Sequence, residues 1–200
     1  MPYRRTPAVQ ARLDAGREKL FAAAIEVLST QGYAGLSVAS VAAAAGVSSG
    51  SVYSHFEGKA DLVVAIFREV CSREVDAVVT VAGRGSTAER VTAVVQTFAG
   101  RALKNRTMAY ALLAEPVDAA VDAERLVFRR KFTDAFVDAI AAGIASGEIP
   151  DQDAAISAAG LVGAVGEVLV GPLSSHNPQD PVPGLVALSL RALGVRDEHA

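Results

Sequence analysis

The stretch Leu36 to Leu62, LSVASVAAAAGVSSGSVYSHFEGKADL, constrains this chain more than any other. It predicts two short helices around a tight turn, then the start of a longer helix. Ser37 is placed to cap the first, Val38 to Ala45, because its hydroxyl can accept from an unpaired N–H of the opening turn. Val38, Val41, Ala42 and Ala45 recur at helical spacing, so one face can bury. Gly46 ends the helix, since glycine takes a left-handed conformation without Cβ strain. Ser48 can cap the second helix, expected from Ser49 to His55.

That second helix turns only Val52 and Phe56 toward a core. Ser49, Ser51, Tyr53, Ser54 and His55 point elsewhere with their hydrogen-bonding groups. So short a helix is marginal alone and must be held by packing. A packed helix with a polar rim is what a helix-turn-helix presents to a DNA major groove.

The run resembles the DNA-binding motif of the tetracycline-repressor (TetR) family of transcriptional regulators. The resemblance rests on Ala45-Gly46-Val47-Ser48, Gly50, Tyr53, His55-Phe56, Lys59 and Leu62. Upstream, Arg17, Ala24, Leu28, Gly32-Tyr33 and Ser37-Val38 fit the same pattern. It covers about the first third of the chain and agrees in spacing and residue type, which a short helix-turn-helix match would not do. The resemblance implies a DNA-binding domain over residues 1–60, and a helical domain over 61–200 that dimerises and binds an effector. It also implies a cytoplasmic homodimer on a palindromic double-stranded operator, released by a small apolar or amphipathic molecule.

Composition agrees with an all-α chain. Hydrophobic residues make up 51% and charged residues 20%, a globular balance, and alternating strand patterns are scarce. The mean hydropathy of +0.31 raises the question of a membrane. The most apolar stretch, Ala158 to Val170, is short of the roughly 20 residues a spanning helix needs and contains Glu167. No apolar signal core opens the chain. Cys71 is the only cysteine, which excludes an intrachain disulfide and a thiolate zinc cluster. His176 and His199 have no partners that suggest a metal site, and no cofactor is expected.

The net charge of −3 is unevenly spread. Residues 1–60 hold six basic side chains against four acidic ones, or +2, which leaves −5 on the rest. A mildly basic head on an acidic body suits a DNA binder whose second part does something else.

Within the head, Arg4 and Arg5 lie on an N-terminal arm that can reach a phosphate or an adjacent minor groove, though a solvated tail is the plainer reading. By the resemblance, His55 approaches a backbone phosphate. Tyr53 can brace the helix and donate its hydroxyl, and Lys59 can join a helix N-terminus on phosphate. Ser37, Ser48, Ser49, Gly50 and Ser51 complete the candidate DNA-binding set. A serine hydroxyl fits several base edges, so weight shifts to phosphate contacts, DNA shape and the two arginines.

Helices are expected over Val9–Gln31, Val38–Ala45, Ser49–His55, Gly58–Ala82, Thr87–Leu103, Thr107–Leu113, Ala119–Ala145, Asp151–Val170 and Gly184–Leu193, about nine in all. Gly171-Pro172 should stop the eighth, and Leu173 to Pro183 should be loop. The fourth is expected to be the one connection from head to body. Phe128, Phe132 and Phe136 recur every four residues. An aromatic core stripe is the plainer reading; a pocket wall with Met108, Leu112 and Leu161 is the functional one. Glu115, Asp118 and above all Glu167, inside an apolar helix, could orient a ligand. Gly160, Gly163 and Ala164, with Gly166 and Val168, give the eighth helix a smooth face for a dimer partner, for a pocket or for close packing within the chain.

Two rival functions stay open at this point. An enzyme is unsupported by any nucleophile–base motif, metal spacing or phosphate-binding loop. A helical small-molecule binder without DNA binding would share the body and lose the head's role.

Overall fold

The computed structural model describes residues 6–174 and 180–195. Those residues form nine helices and no strand. They are α1 (Pro7–Gln31), α2 (Val38–Ala45), α3 (Ser49–Tyr53), α4 (Lys59–Ala82), α5 (Thr87–Lys104), α6 (Arg106–Leu113), α7 (Ala119–Ser146), α8 (Ala154–Ser174) and α9 (Val182–Ala192). The all-helical expectation therefore stands.

Most boundaries follow local chemistry. Thr6 caps α1 through Val9 N–H, with Pro7 in the first turn where no N–H is missed. Ser86 and Glu89 form a capping box on α5. Gly147, at φ 77°, closes α7.

Three expectations fail. The second helix of the motif ends at Tyr53, because His55 and Phe56 N–H both turn back to the Val52 carbonyl. The eighth helix starts later, at Ala154, where Asp153 rather than Asp151 accepts from the N–H groups of Ala155 and Ile156 at 2.9 Å. It also runs through Gly171-Pro172 to Ser174. Leu173 is buried there, and Arg106 Nη2 donates to the Pro172 carbonyl at 2.6 Å, so packing and a side-chain cap outweigh the N–H that proline lacks. The expected loop accordingly shrinks at both ends, since Val182 and Pro183 already belong to α9.

By length and composition, α8 could cross a membrane, which the shorter apolar stretch did not suggest. Here it lies on α7 and α6, with Leu161, Val165, Leu169 and Leu173 buried.

Two apolar cores result. One joins α1 to α4 and takes in Ala111 of α6 and Val121 and Phe128 of α7. The other lies among α5, α7, α8 and α9 and the far end of α4. The first core ties head to body through more than α4. Glu115 accepts from the N–H groups of Tyr33 and Ala34 at 2.8 and 2.9 Å, just after α1 ends. Tyr33 donates its hydroxyl to Asp118 at 2.6 Å, and Ser29 meets the Met108 sulfur at 3.6 Å. The expectation that the fourth helix alone runs from head to body is thus corrected: α6 packs directly on α1.

Candidate DNA-binding head and body cavity

The turn of the motif is built from short polar side chains. Ser37 accepts from Ser40 N–H at 3.0 Å, while the Ser40 hydroxyl accepts from Ser37 N–H at 2.9 Å. Gly46 sits at φ 62°, ψ 41°, where a Cβ would strain, and its N–H reaches the end of α2. Ser48 accepts from Ser51 N–H at 3.2 Å, and the two hydroxyls lie 3.0 Å apart. The hydroxyls of Ser37 and Ser48, both named as DNA candidates, are therefore already engaged in capping, and that of Ser51, a third candidate, is hydrogen-bonded to Ser48. Ser49 and Gly50 are exposed at the opening of α3.

Burial of Val52 and Phe56 anchors α3. Phe56 meets Phe21 of α1 edge-on, with centroids 5.9 Å apart, and the Arg17 guanidinium lies 5.1 and 5.3 Å from the two rings. α3 thus packs on α2, and the turn after it is pinned to α1 through Phe56.

Tyr53 is 57% exposed. His55 is half-buried, its ring against α1: a Cβ on Gly16 would lie 3.0 Å from His55 Nε2. The imidazole is held from behind by the backbone of Gly16 rather than hanging free. Lys59 opens α4 with its ammonium 5.9 Å above the Tyr33 ring. Arg4 and Arg5 lie outside the described residues.

In the body, a cavity of about 200 Å³ lies among α4, α5, α6 and α7. Met108, Leu112, Phe128 and Phe132 line it, with Phe98, Cys71 and Arg125, which sequence reasoning missed. A second void of about 40 Å³ continues toward Val162, Val165 and Gly166 of α8. Phe98, Leu113, Arg129 and Phe132 line both, and the Phe98 and Phe132 rings, edge-on with centroids 4.9 Å apart, stand between them. The aromatic stripe of α7 divides its duties: Phe128 joins the first core, Phe136 the second, and Phe132 stands between the voids.

Two pocket candidates are misplaced. Leu161 lines neither void; it is buried in the second core under α8. Glu167 is exposed on the outer side of α8, because the helix turns its larger apolar residues inward and leaves this carboxylate in water. Glu115 and Asp118 bind the end of α1, as described, and not the cavity.

Electrostatics in the body centre on arginines. Arg101 is fixed to both oxygens of Glu74 at 2.6 and 2.8 Å. Arg68 meets Glu124 at 2.6 Å, and that hydrogen bond holds the Glu124 carboxyl below its ordinary pKa. Arg125 donates through Nε to the Leu112 carbonyl, and through Nη2 to those of Ala111 and Glu115, closing the C-terminal end of α6. Burial pushes the Arg125 pKa down and that of the Cys71 thiol up to about 12. Among the described residues no cluster of metal-ligating side chains occurs.

The outer face of α8 and α9 carries exposed Ile156, Val168 and Leu188, with Gly160 and Gly163 between them and Ala164 half-buried beside them. A Cβ at Gly160, Gly163 or Gly166 would meet nothing within 4 Å. Among the described residues nothing packs closely on Gly160 or Gly163, whereas Gly166 is half-buried and lines the second void.

Residues 20–66 match the family described as bacterial regulatory proteins, tetR family. A segment of 66 residues is 48% identical to the HTH-type transcriptional regulator CymR of Pseudomonas putida. That match spans 33% of this chain and 32% of CymR, so it reaches about a third of the length of that relative. Over the whole fold, a bacterial regulatory protein of the tetR family from Rhodococcus RHA1 superposes with a TM-score of 0.69 at 25% identity, covering 91% of this chain and 98% of that one. The transcriptional regulator FadR from Bacillus subtilis, in complex with stearoyl-CoA, gives a TM-score of 0.73 at 21% identity, covering 88% and 95%.

Proposed function

We propose, from the match of residues 20–66 to the tetR family, that the chain acts in the cytoplasm as a homodimeric DNA-binding transcription regulator, released from its operator by a small molecule. One observation carries the DNA-binding part. The turn glycine, the capping serines and the buried Val52 hold α3 on α2, and Phe56 ties the following turn to α1, with Tyr53, Ser49 and Gly50 exposed and Lys59 at the start of α4. That is a recognition helix presented for a major groove, flanked by phosphate-binding groups. The engaged serine hydroxyls favour backbone contact and DNA shape over base readout.

The body supplies the second half of the reading. An apolar-walled cavity beside α6, and the tie from α6 to the end of α1, connect a bound molecule to the head. A ligand that fits one arrangement of α6 better than another would shift the head between two positions. The stearoyl-CoA complex of the Bacillus subtilis neighbour illustrates that a regulator of this fold can carry a ligand. For the dimer, the exposed apolar and glycine face of α8 and α9 is the proposed contact between copies.

The test is binding to the DNA upstream of its own reading frame, followed by anisotropy across a salt series. A DNA-binding regulator gives a log–log slope set by its phosphate contacts, and Lys59→Ala makes that slope shallower by about one. A flat salt response would leave the small-molecule binder as the better reading.

A further inference from the structure

Building on the reading of the body as a ligand sensor, we propose that its cavity takes a molecule with an apolar body and one oxyanion group, and that Arg125 is the residue that recognises that group. The cavity wall is mostly carbon and sulfur: Phe98, Met108, Leu112, Phe128 and Phe132. Its charged lining is Glu74, Arg101, Asp122, Arg125 and Arg129. These are not equivalent. Arg101 is neutralised by two hydrogen bonds to Glu74. Arg129 is exposed, so water screens it.

Arg125 differs from both. Its side chain is only 15% exposed, and its Nε and Nη2 are held by three backbone carbonyls, which carry no net charge. Nη1 makes no hydrogen bond among the described residues. The nearest carboxylate oxygen, on Asp122, is 3.9 Å away, and that side chain is 62% exposed. This half-buried cation, with Asp122 at 3.9 Å as its one carboxylate partner and the Phe67 ring 6.0 Å away, has room at Nη1 for a closer counter-charge. An oxyanion on the ligand supplies one there without disturbing the three carbonyl bonds. A neutral ligand leaves the cation as it is, and a cationic one is repelled.

Size narrows the class. An engineered void of about 150 Å³ holds one benzene ring, so a cavity of about 200 Å³ suits a single ring or a chain of roughly eight carbons. The same side chain closes the end of α6 two residues before Glu115 holds Tyr33 and Ala34, which places recognition next to the tie to the head.

Calorimetry on the DNA-free protein with octanoate, 1-octanol and octylammonium tests this. Octanoate should bind about tenfold tighter than 1-octanol, from one charge-assisted hydrogen bond in a dry site, with octylammonium weakest. Arg125→Gln should erase the preference and Arg129→Gln should keep it. Arg125→Gln also uncaps α6, so a second variant guards against misfolding. Asp122→Asn, at an exposed site, removes the competing carboxylate and should tighten octanoate several-fold with 1-octanol unchanged. Equal affinities for octanoate and 1-octanol, no binding of octanoate, or a preference that survives Arg125→Gln in folded protein would overturn the proposal. So would an Asp122→Asn variant no tighter than wild type. DNA is absent from the assay, so a failed operator experiment leaves this result standing, and equal binding leaves the regulator reading standing.

Discussion

Tyr33, one residue beyond the glycine that ends α1, donates its hydroxyl to Asp118 at 2.6 Å, and Asp118 N–H returns to the same oxygen at 3.3 Å. The pair links the end of α1 to the start of α7. Tyr33→Phe should lower stability by about 1.5 kcal/mol, at the low end for a hydrogen bond to a charged group because Asp118 is exposed and can rehydrate. Burial and the Asp118 hydrogen bond both raise the Tyr33 pKa. The contribution is therefore fully present below the ordinary tyrosine value of about 10 and is lost as pH rises through the higher folded value. Urea unfolding from pH 8 to 11 should show the wild-type advantage over Tyr33→Phe shrinking at the alkaline end. A constant difference would mean the hydroxyl is not titrating in that bond.

Glu115 is the companion link. Its two oxygens accept from the backbone N–H groups of Tyr33 and Ala34, in the turn that follows α1. Glu115→Gln keeps one acceptor oxygen and turns a donor toward the other N–H. Stability should fall by about 1–3 kcal/mol, and ligand control of DNA affinity should weaken with it. Gly32→Ala attacks the same place from the other side: φ there is 68°, and a Cβ would lie 2.8 Å from Glu115 Oε2. Equilibrium unfolding of both variants, compared with an Ala34→Ser control, checks the assignment.

The head was legible because its determinants are local. Ser37, Gly46 and Ser48 act within four residues of themselves, and Val52 and Phe56 need only to share a face. The body was not, because its determinants cross the chain. Nothing near Pro172 announces that Arg106, 66 residues earlier, will cap its carbonyl. An arginine on an amphipathic helix looks the same whether it is solvated or, like Arg125, turned onto the end of another helix. Leu161 and Phe98 are both apolar at helical spacing; only the packing of α5 against α7 and α8 puts Phe98 at the void and Leu161 behind it.

His55 gives a prediction that separates contact from support. Gly16→Ala adds a methyl 3.0 Å from the imidazole and should push the ring outward by a few tenths of an ångström. Gly16 lies within α1, where alanine is favoured by about 1 kcal/mol, so the fold should gain or hold stability. If His55 contacts phosphate in its present position, operator affinity should fall about threefold to tenfold, as for a weakened phosphate contact. Anisotropy alongside a thermal melt checks this. Unchanged affinity would place His55 in support of α3 only.

Phe132→Ala should remove part of the wall that separates the two voids, giving one longer cavity. The side chain is half-buried, so the loss should be about 2 kcal/mol, below the 3–5 typical of a fully buried phenylalanine. Ligand preference should move toward longer apolar bodies, read by calorimetry with decanoate against octanoate. The single cysteine offers an independent probe of the same space. With a thiol pKa of about 12, Cys71 should alkylate in native protein at pH 8 at least about a hundredfold more slowly than in urea. Rapid native labelling would mean that the cavity opens readily.

The dimer face can be tested with little ambiguity, because Gly160 and Gly163 have no close neighbour among the described residues for an added Cβ to meet. Gly163 is exposed on α8, and a Cβ there finds no atom within 4 Å. Gly163→Leu therefore creates no clash in the protomer, and leucine is a better helix former than glycine by about 0.8 kcal/mol. Far-UV circular dichroism of the variant should match wild type. Any harm must come from a second copy packed closely on this face, where four added heavy atoms would overfill the gap. Sedimentation velocity at micromolar concentration should then show wild type as a dimer and Gly163→Leu shifted to monomer. Val79→Ser on α4, exposed but away from α8 and α9, should leave the wild-type pattern. A variant that still sediments as the wild-type dimer moves the interface elsewhere. A wild type that sediments as a monomer removes the symmetric operator with it, since one short recognition helix contacts too little DNA to select a site.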